Sequence, residues 1–181
     1  ITQLIPKRDV VIVGHCIGGN IVMIHEEFYP GEAEHLILMS TTAKHRRSAF
    51  GLVLRMYLRL TPGRYFHTVD RTTRPHREYR DDGSKDWAFR KQLRAISATH
   101  PLNYAGLLFQ FCNFDMLDEL DRFKSPTTIV IGEHDTIFPI EHSIVLSEKI
   151  PEAELIILEG KNHLLPLYAP EEVCRIIKER S

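Results

Sequence analysis

One short stretch of the chain carries residues able to do covalent chemistry at a spacing that demands a particular backbone. Val10-Val11-Ile12-Val13 is a β-branched run that stops at Gly14-His15-Cys16-Ile17-Gly18-Gly19, and an amphipathic segment from Asn20 to Phe28 follows at once. Strand, sharp turn and helix in that order present the middle residue of the turn, here Cys16, at the tip of a nucleophile elbow. The turn holds that residue in a strained conformation. Gly14 and Gly18 are therefore expected to be small so that the chain can close around it. Cys16 would stand at a helix N-terminus, where the macrodipole and unpaired N–H groups favour the thiolate. The backbone N–H of Ile17, next in line, could donate to an oxyanion. The competing reading is a buried structural cysteine beside a glycine turn.

The elements needed to position such a nucleophile can be read from the chain. Four short apolar runs bounded by turn or charged residues have the pattern of buried parallel strands: Asp9 to Gly14, His35 to Ser40, Thr127 to Gly132 and Ala153 to Leu158. Helical patterns lie between them, which argues βαβ units and a parallel sheet. With the elbow, this arrangement resembles the α/β-hydrolase family, in the branch of capped esterases and lipases. The resemblance covers essentially the whole chain but only the last four of the family's eight main strands. It implies a partial α/β-hydrolase fold: a parallel sheet of about four strands flanked by helices, with a helical cap inserted. Residue 1 is Ile, and Ile1 to Pro6 reads as the tail of a helix, so the chain is expected to be the C-terminal part of a longer protein. The elbow strand would then be a hydrophobic edge. The family's second oxyanion donor, from the loop after its third strand, would lie upstream. The stretch alone is expected to be inactive or weakly active.

The family's catalytic residues run nucleophile, acid, histidine along the chain. Gly132-Glu133-His134-Asp135-Thr136-Ile137-Phe138-Pro139 resembles its Gly-X-X-Asp-X-X-X-Pro acid loop, which makes Asp135 the group that would orient the histidine. Some members carry the acid after the preceding strand, but Ser40-Thr41-Thr42-Ala43 holds no carboxylate. A loop Asp that merely caps the next helix is the plainer alternative. Glu159-Gly160-Lys161-Asn162-His163-Leu164-Leu165-Pro166 resembles the histidine loop, ahead of a closing helix from Glu171 to Arg180, and His163 would be the general base. Ten histidines make any one of them uninformative by type alone; position selects His163. His15 and His134 flank the matched positions, and His15 reads as a structural residue of the elbow.

Three cysteines, Cys16, Cys112 and Cys174, show no paired spacing, so neither a zinc site nor a disulfide framework is suggested. Reduced thiols fit a cytoplasmic setting, with an N-terminal signal left open. No apolar run reaches membrane-spanning length. Net charge is −1 overall, yet residues 44–94 hold 14 Lys and Arg against 5 Asp and Glu. That basic stretch sits where the family inserts its cap, giving an organisation of core (1–43, with the elbow), cap or lid (44–105) and core (106–181, with the acid and histidine loops). Helical patterns over Phe50 to Leu60, Trp87 to Ile96 and Tyr104 to Phe114 are separated by a Pro-, Gly- and Arg-rich loop, Thr61 to Lys85. The arginines are either a solvated surface or a face for an anionic acyl substrate, such as a CoA thioester. Nucleic-acid binding would leave the motifs unexplained.

The resemblance implies hydrolysis of an ester, lactone or thioester through Cys16, His163 and Asp135, with no metal or organic cofactor. A cysteine in a similar elbow also occurs in dienelactone hydrolases and polyhydroxyalkanoate synthases. Acyl transfer from a thioester to another acceptor is therefore the second reading, and a non-catalytic binding protein on the same fold the third. Composition leaves substrate identity and oligomeric state open.

Overall fold

The computed structural model describes residues 10–45, 106–107 and 110–181. Four strands form one sheet: β1 (Val11–His15), β2 (His35–Met39), β3 (Thr127–Gly132) and β4 (Glu154–Leu158). All three pairings are parallel, and the spatial order β1-β2-β3-β4 repeats the chain order. Each crossover contains helical structure, as parallel pairing requires. β1 leads directly into α1 (Ile17–Phe28); α2 (Ile140–Lys149) joins β3 to β4; α3 (Leu165–Tyr168) and α4 (Pro170–Glu179) follow β4. The expected strands all form. α1 begins three residues before the amphipathic stretch suggests, at the elbow itself, and α3 is a short helix that the apolar pattern does not reveal.

Burial follows position in the sheet. β3 is buried at every residue and β2 at all but its first, whereas the edge strands β1 and β4 are partly exposed. Residues two apart on a strand share a face. Ile37, Met39, Val130 and Leu158 accordingly form one core layer with Leu165, Ala169, Val173 and Ile176. The helical contributors are spaced four, four and three apart, one stripe along α3 and α4. Leu36, Leu38, Ile129 and Ile131, all fully buried, alternate with that set and face the other way. β1 is an outer strand and its Val13 is 37% exposed; on α1, Ile21 (49%) and Phe28 (69%) are exposed as well.

α1 is tied to the far side of the sheet by a buried carboxylate. Glu26 has no exposed surface; its Oε1 accepts from the backbone N–H groups of Gly31, Lys124 and Ser125, and its Oε2 accepts from the Ser125 hydroxyl. A carboxylate is stable out of water only when its lone pairs are filled in this way.

By its contacts the chain divides into two compact units, one of Ile1–Lys44 with Asp115–Ser181 and one of His45–Phe114. Within the first unit the two ends that meet at the division are joined by a Lys44–Asp115 bridge, by Met116 N–H donating to the Ala43 carbonyl at 2.9 Å, and by an ion pair of 2.7 Å between the Lys44 and Asp115 side chains. The expected helices Phe50–Leu60 and Trp87–Ile96, the loop between them and the basic stretch beyond His45 lie outside the described residues. In the third expected helix, residues 106–107 and 110–112 are helical.

Candidate active site

Cys16 caps α1 in left-handed backbone, with φ 56° and ψ −122°. A non-glycine residue there costs of order 1–3 kcal/mol and persists only where its surroundings enforce it. The enforcing contacts are visible. Cys16 N–H donates to the Met39 carbonyl at 3.0 Å, while the Cys16 carbonyl accepts from Gly19 N–H (3.0 Å) and the Thr41 hydroxyl (2.8 Å). One turn on, the Asn20 side-chain amide donates to the Thr42 carbonyl at 2.6 Å. The segment after β2 thus fastens the elbow from beneath.

The glycines divide differently from expectation. A Cβ on Gly14 would lie 2.5 Å from the Gly18 carbonyl oxygen, so Gly14 must be glycine. Gly18 itself has open space around the same hypothetical atom, which corrects the expectation that Gly18 must be small. Gly19 is the second constrained position: a Cβ there would come within 2.6 Å of the Thr41 side chain. Nothing in the sequence marks Thr41 as the neighbour. Ile17 is the first residue of α1, so the helix offers its N–H no intrahelical acceptor and leaves the donor at the mouth of the elbow.

The acid and histidine loops are laced together at the ends of β3 and β4. Glu133 N–H donates to the Leu158 carbonyl, His134 N–H to the Lys161 carbonyl, and Gly160 N–H to the Glu133 carboxylate. A Cβ on Gly132 would sit 2.5 Å from the Lys161 and Asn162 carbonyl oxygens. Glycine ends β3 because the histidine loop passes directly over it. Leu164 N–H donates to the Asn162 side chain, a local turn that shapes the loop around His163.

Asp135 and His163, 28 residues apart, meet in this lacing. His163 Nδ1 lies 2.9 Å from Asp135 Oδ2 and 3.1 Å from Oδ1; Oδ1 also accepts from the backbone N–H groups of Ile137 and Phe138, each at 2.9 Å. Both residues are buried, at 7% and 5% exposure. Burial pushes the Asp135 carboxyl up, but the His163 hydrogen bond, the Phe138 N–H, the His163 charge and Ser40 together hold it below its ordinary value. Burial likewise pushes His163 down. The hydrogen bond that the ring donates to Asp135, the one it makes with the Cys16 side chain, and the charge interactions with both outweigh it and raise His163 to about 9. With Nδ1 engaged by Asp135, Nε2 is the ring nitrogen left for the hydrogen bond with the Cys16 side chain. The three residues selected in the sequence are therefore neighbours in space, at the C-terminal ends of β1, β3 and β4.

The rest of the cluster has its own order. Phe138 packs its ring 5.5 Å from His163. His15 sits on another side, 5.0 Å ring to ring. His134 is exposed. Ser40, fully buried in left-handed backbone at φ 46°, occupies the end of β2 beside Asp135. Sequence reasoning passed over Ser40 and Thr41 because they lack ionisable groups; their part is to shape the neighbours. Cys112 is partly buried and Cys174 exposed, and both are free thiols. No helix among the described residues is long and apolar enough to cross a membrane.

Comparison with known proteins agrees with this architecture. A family model described as the alpha/beta hydrolase fold matches residues 1–170. The chain is 24% identical, over 96% of its length, to the proline iminopeptidase PfmaB of Pestalotiopsis fici, of which it covers 67%. Among solved structures it resembles a thermophilic esterase from Thermogutta terrifontis (20% identity, TM-score 0.65, 94% of this chain and 64% of that one). It also resembles MGS-MChE2, an alpha/beta hydrolase enzyme from the metagenome of lagoon sediments at Mar Chica, Morocco (16% identity, TM-score 0.61, 94% and 60%). The chain thus spans less than two thirds of the length of these solved structures. With the sheet, the elbow and the paired loops in place, the family match is decisive: the chain belongs to the α/β-hydrolase fold family.

Proposed function

We propose that the chain carries the catalytic residues of a hydrolase that cleaves carboxylic esters, lactones or thioesters through a Cys16–His163–Asp135 triad. The observation that supports this most is the placement of His163 between the Asp135 carboxylate and the Cys16 thiol, with its pKa raised to about 9. Geometry comes first in recognising the partner of a nucleophile, and the raised pKa favours the imidazolium that pairs with a Cys16 thiolate. The strained backbone at Cys16 is of the kind that clusters at functional sites.

In this reading His163 already holds the proton on Nε2, and Cys16 Sγ attacks the acyl carbon as the thiolate of that ion pair. The carbonyl oxygen becomes an oxyanion facing the Ile17 N–H. Collapse of the tetrahedral species breaks the bond to the leaving oxygen or sulfur, which takes the proton from the imidazolium. Water then attacks the resulting acyl-cysteine thioester, giving its proton to His163, and the acid departs as the Cys16 thiolate leaves. Asp135 keeps Nδ1–H directed and offsets the imidazolium charge throughout.

Cysteine also bears on substrate class. Its acyl-enzyme is itself a thioester, so exchange with an acyl thioester is close to balanced, and the basic segment 44–94 would suit a phosphate-bearing carrier. The test is kcat/KM of the intact protein on matched acyl-CoA and p-nitrophenyl acyl esters before and after Cys16→Ser. The thioester preference predicts that the wild type favours the CoA substrate and that Cys16→Ser loses it. It fails if the wild type ignores the thioester and Cys16→Ser leaves ester turnover unchanged. Acyl transfer to an acceptor other than water would show as product captured by added alcohol or amine.

A further inference from the structure

We propose that His15 is a positioning residue for His163: it straps the histidine loop to the nucleophile elbow through the His163 main chain. The inference rests on the triad reading above. β1 and β4 are the two outer strands of the sheet, so the loops bearing Cys16 and His163 must meet across the ends of β2 and β3. Asp135 holds only the ring of His163. His15 holds its backbone, with Nε2 lying 2.8 Å from the His163 carbonyl oxygen across 148 residues of sequence.

A carbonyl can only accept, so His15 Nε2 carries the hydrogen and the ring donates. The same carbonyl accepts from Leu165 N–H at 3.0 Å, which ties the start of α3 to the point that His15 grips. Burial lowers the His15 pKa and the His163 charge lowers it further, while the bond to the carbonyl and the Asp135 charge restore only part. Protonating His15 is therefore disfavoured beside a cationic His163 ring 5.0 Å away. Because His15 is the residue immediately before Cys16, its bond to the His163 carbonyl links the backbone of the nucleophile to that of the base. A displacement of about 1 Å at reacting groups can cost about 10²-fold in rate.

The test compares His15→Leu, which deletes the donor, with His15→Gln, whose side-chain N–H can reach a similar point. Three readouts are taken in the intact protein: hydrolysis of p-nitrophenyl butyrate, the rate of iodoacetamide alkylation at Cys16 relative to Cys174, and the NMR titration of the His163 ring. For His15→Leu we expect kcat to fall about tenfold or more with KM little changed. Cys16 alkylation should slow, and His163 should titrate below about 9, towards its ordinary 6.5. His15→Gln should recover most of all three. If His15→Leu does not fold, His15→Asn, too short to span the bond, takes its place. The proposal is overturned if the donor-less variant keeps the wild-type rate and titration, or if Leu and Gln are equally impaired while His163 still titrates near 9. A wild-type Cys16 that alkylates no faster than Cys174 would instead overturn the triad reading itself, and the role of His15 with it.

Discussion

His163 and Asp135 are joined twice, Nδ1 lying 2.9 Å from one carboxylate oxygen and 3.1 Å from the other, and the second oxygen is itself pinned by the N–H groups of Ile137 and Phe138. The carboxylate is therefore fixed before it orients the ring. Asp135→Asn keeps the shape but replaces an acceptor with an amide that can present a donor to Nδ1. Turnover is expected to drop by about 10²–10⁴-fold, and the His163 titration should fall from about 9. Steady-state kinetics with a histidine NMR titration checks both. An unshifted titration would contradict the role given to Asp135.

The same pair sets a pH window for stability. The folded state binds the His163 proton more tightly than the unfolded chain, about 9 against 6.5. Its contribution is complete below about 6.5 and disappears as pH rises through about 9. Asp135 works in the opposite sense: its folded pKa lies below 3.8, so its contribution holds above 3.8 and is lost as pH falls through the lower folded value. Urea unfolding between pH 6 and 10 should show stability declining on the alkaline side, and His163→Gln should flatten that decline. An equal slope in the variant would place the titration elsewhere.

The elbow glycines offer a sharper contrast. Gly14→Ala drives a methyl into the Gly18 carbonyl and Gly19→Ala drives one into Thr41. Each should destabilise by about 1–3 kcal/mol or distort the elbow. Gly18→Ala meets nothing and gains helix propensity near the start of α1, so it should be neutral or stabilising by up to about 1 kcal/mol. Thermal unfolding of the three variants decides the order; Gly18→Ala as the most damaging would refute it.

Glu26 is expected to be the most sensitive charged residue outside the site. Glu26→Leu would strand three buried or half-buried backbone N–H groups and the Ser125 hydroxyl. Leaving such donors unpaired costs about 1–3 kcal/mol each before relaxation. A loss of at least about 3 kcal/mol in urea unfolding is predicted, and Ser125→Ala should lose much less. A neutral Glu26→Leu would contradict the clamp.

What was legible in the chain follows from locality. β2 and β3 announce themselves as uninterrupted apolar runs because both of their faces are buried. Cys16, Asp135 and His163 are legible because each follows its strand in a motif with its own turn residues. Contacts made across the fold are another matter. Thr41 beneath Gly19, the histidine loop over Gly132, and Glu26 reaching Ser125 join segments whose proximity no local pattern encodes. The sequence likewise does not separate Gly18 from Gly14, since the Gly18 backbone and not its Cβ position is what crowds Gly14. His15 was read as structural, and its bond to the His163 main chain gives that reading a specific partner.

The central claim is that Cys16 becomes acylated. The full chain would be mixed with p-nitrophenyl acetate, quenched in acid within seconds and digested at low pH, and the cysteine peptides weighed. The account predicts an added acetyl group on the Cys16 peptide, absent from Cys112 and Cys174, more persistent in His163→Gln and gone in Cys16→Ala. Acetylation spread equally over the three cysteines, or p-nitrophenol release that survives Cys16→Ala undiminished, would contradict it.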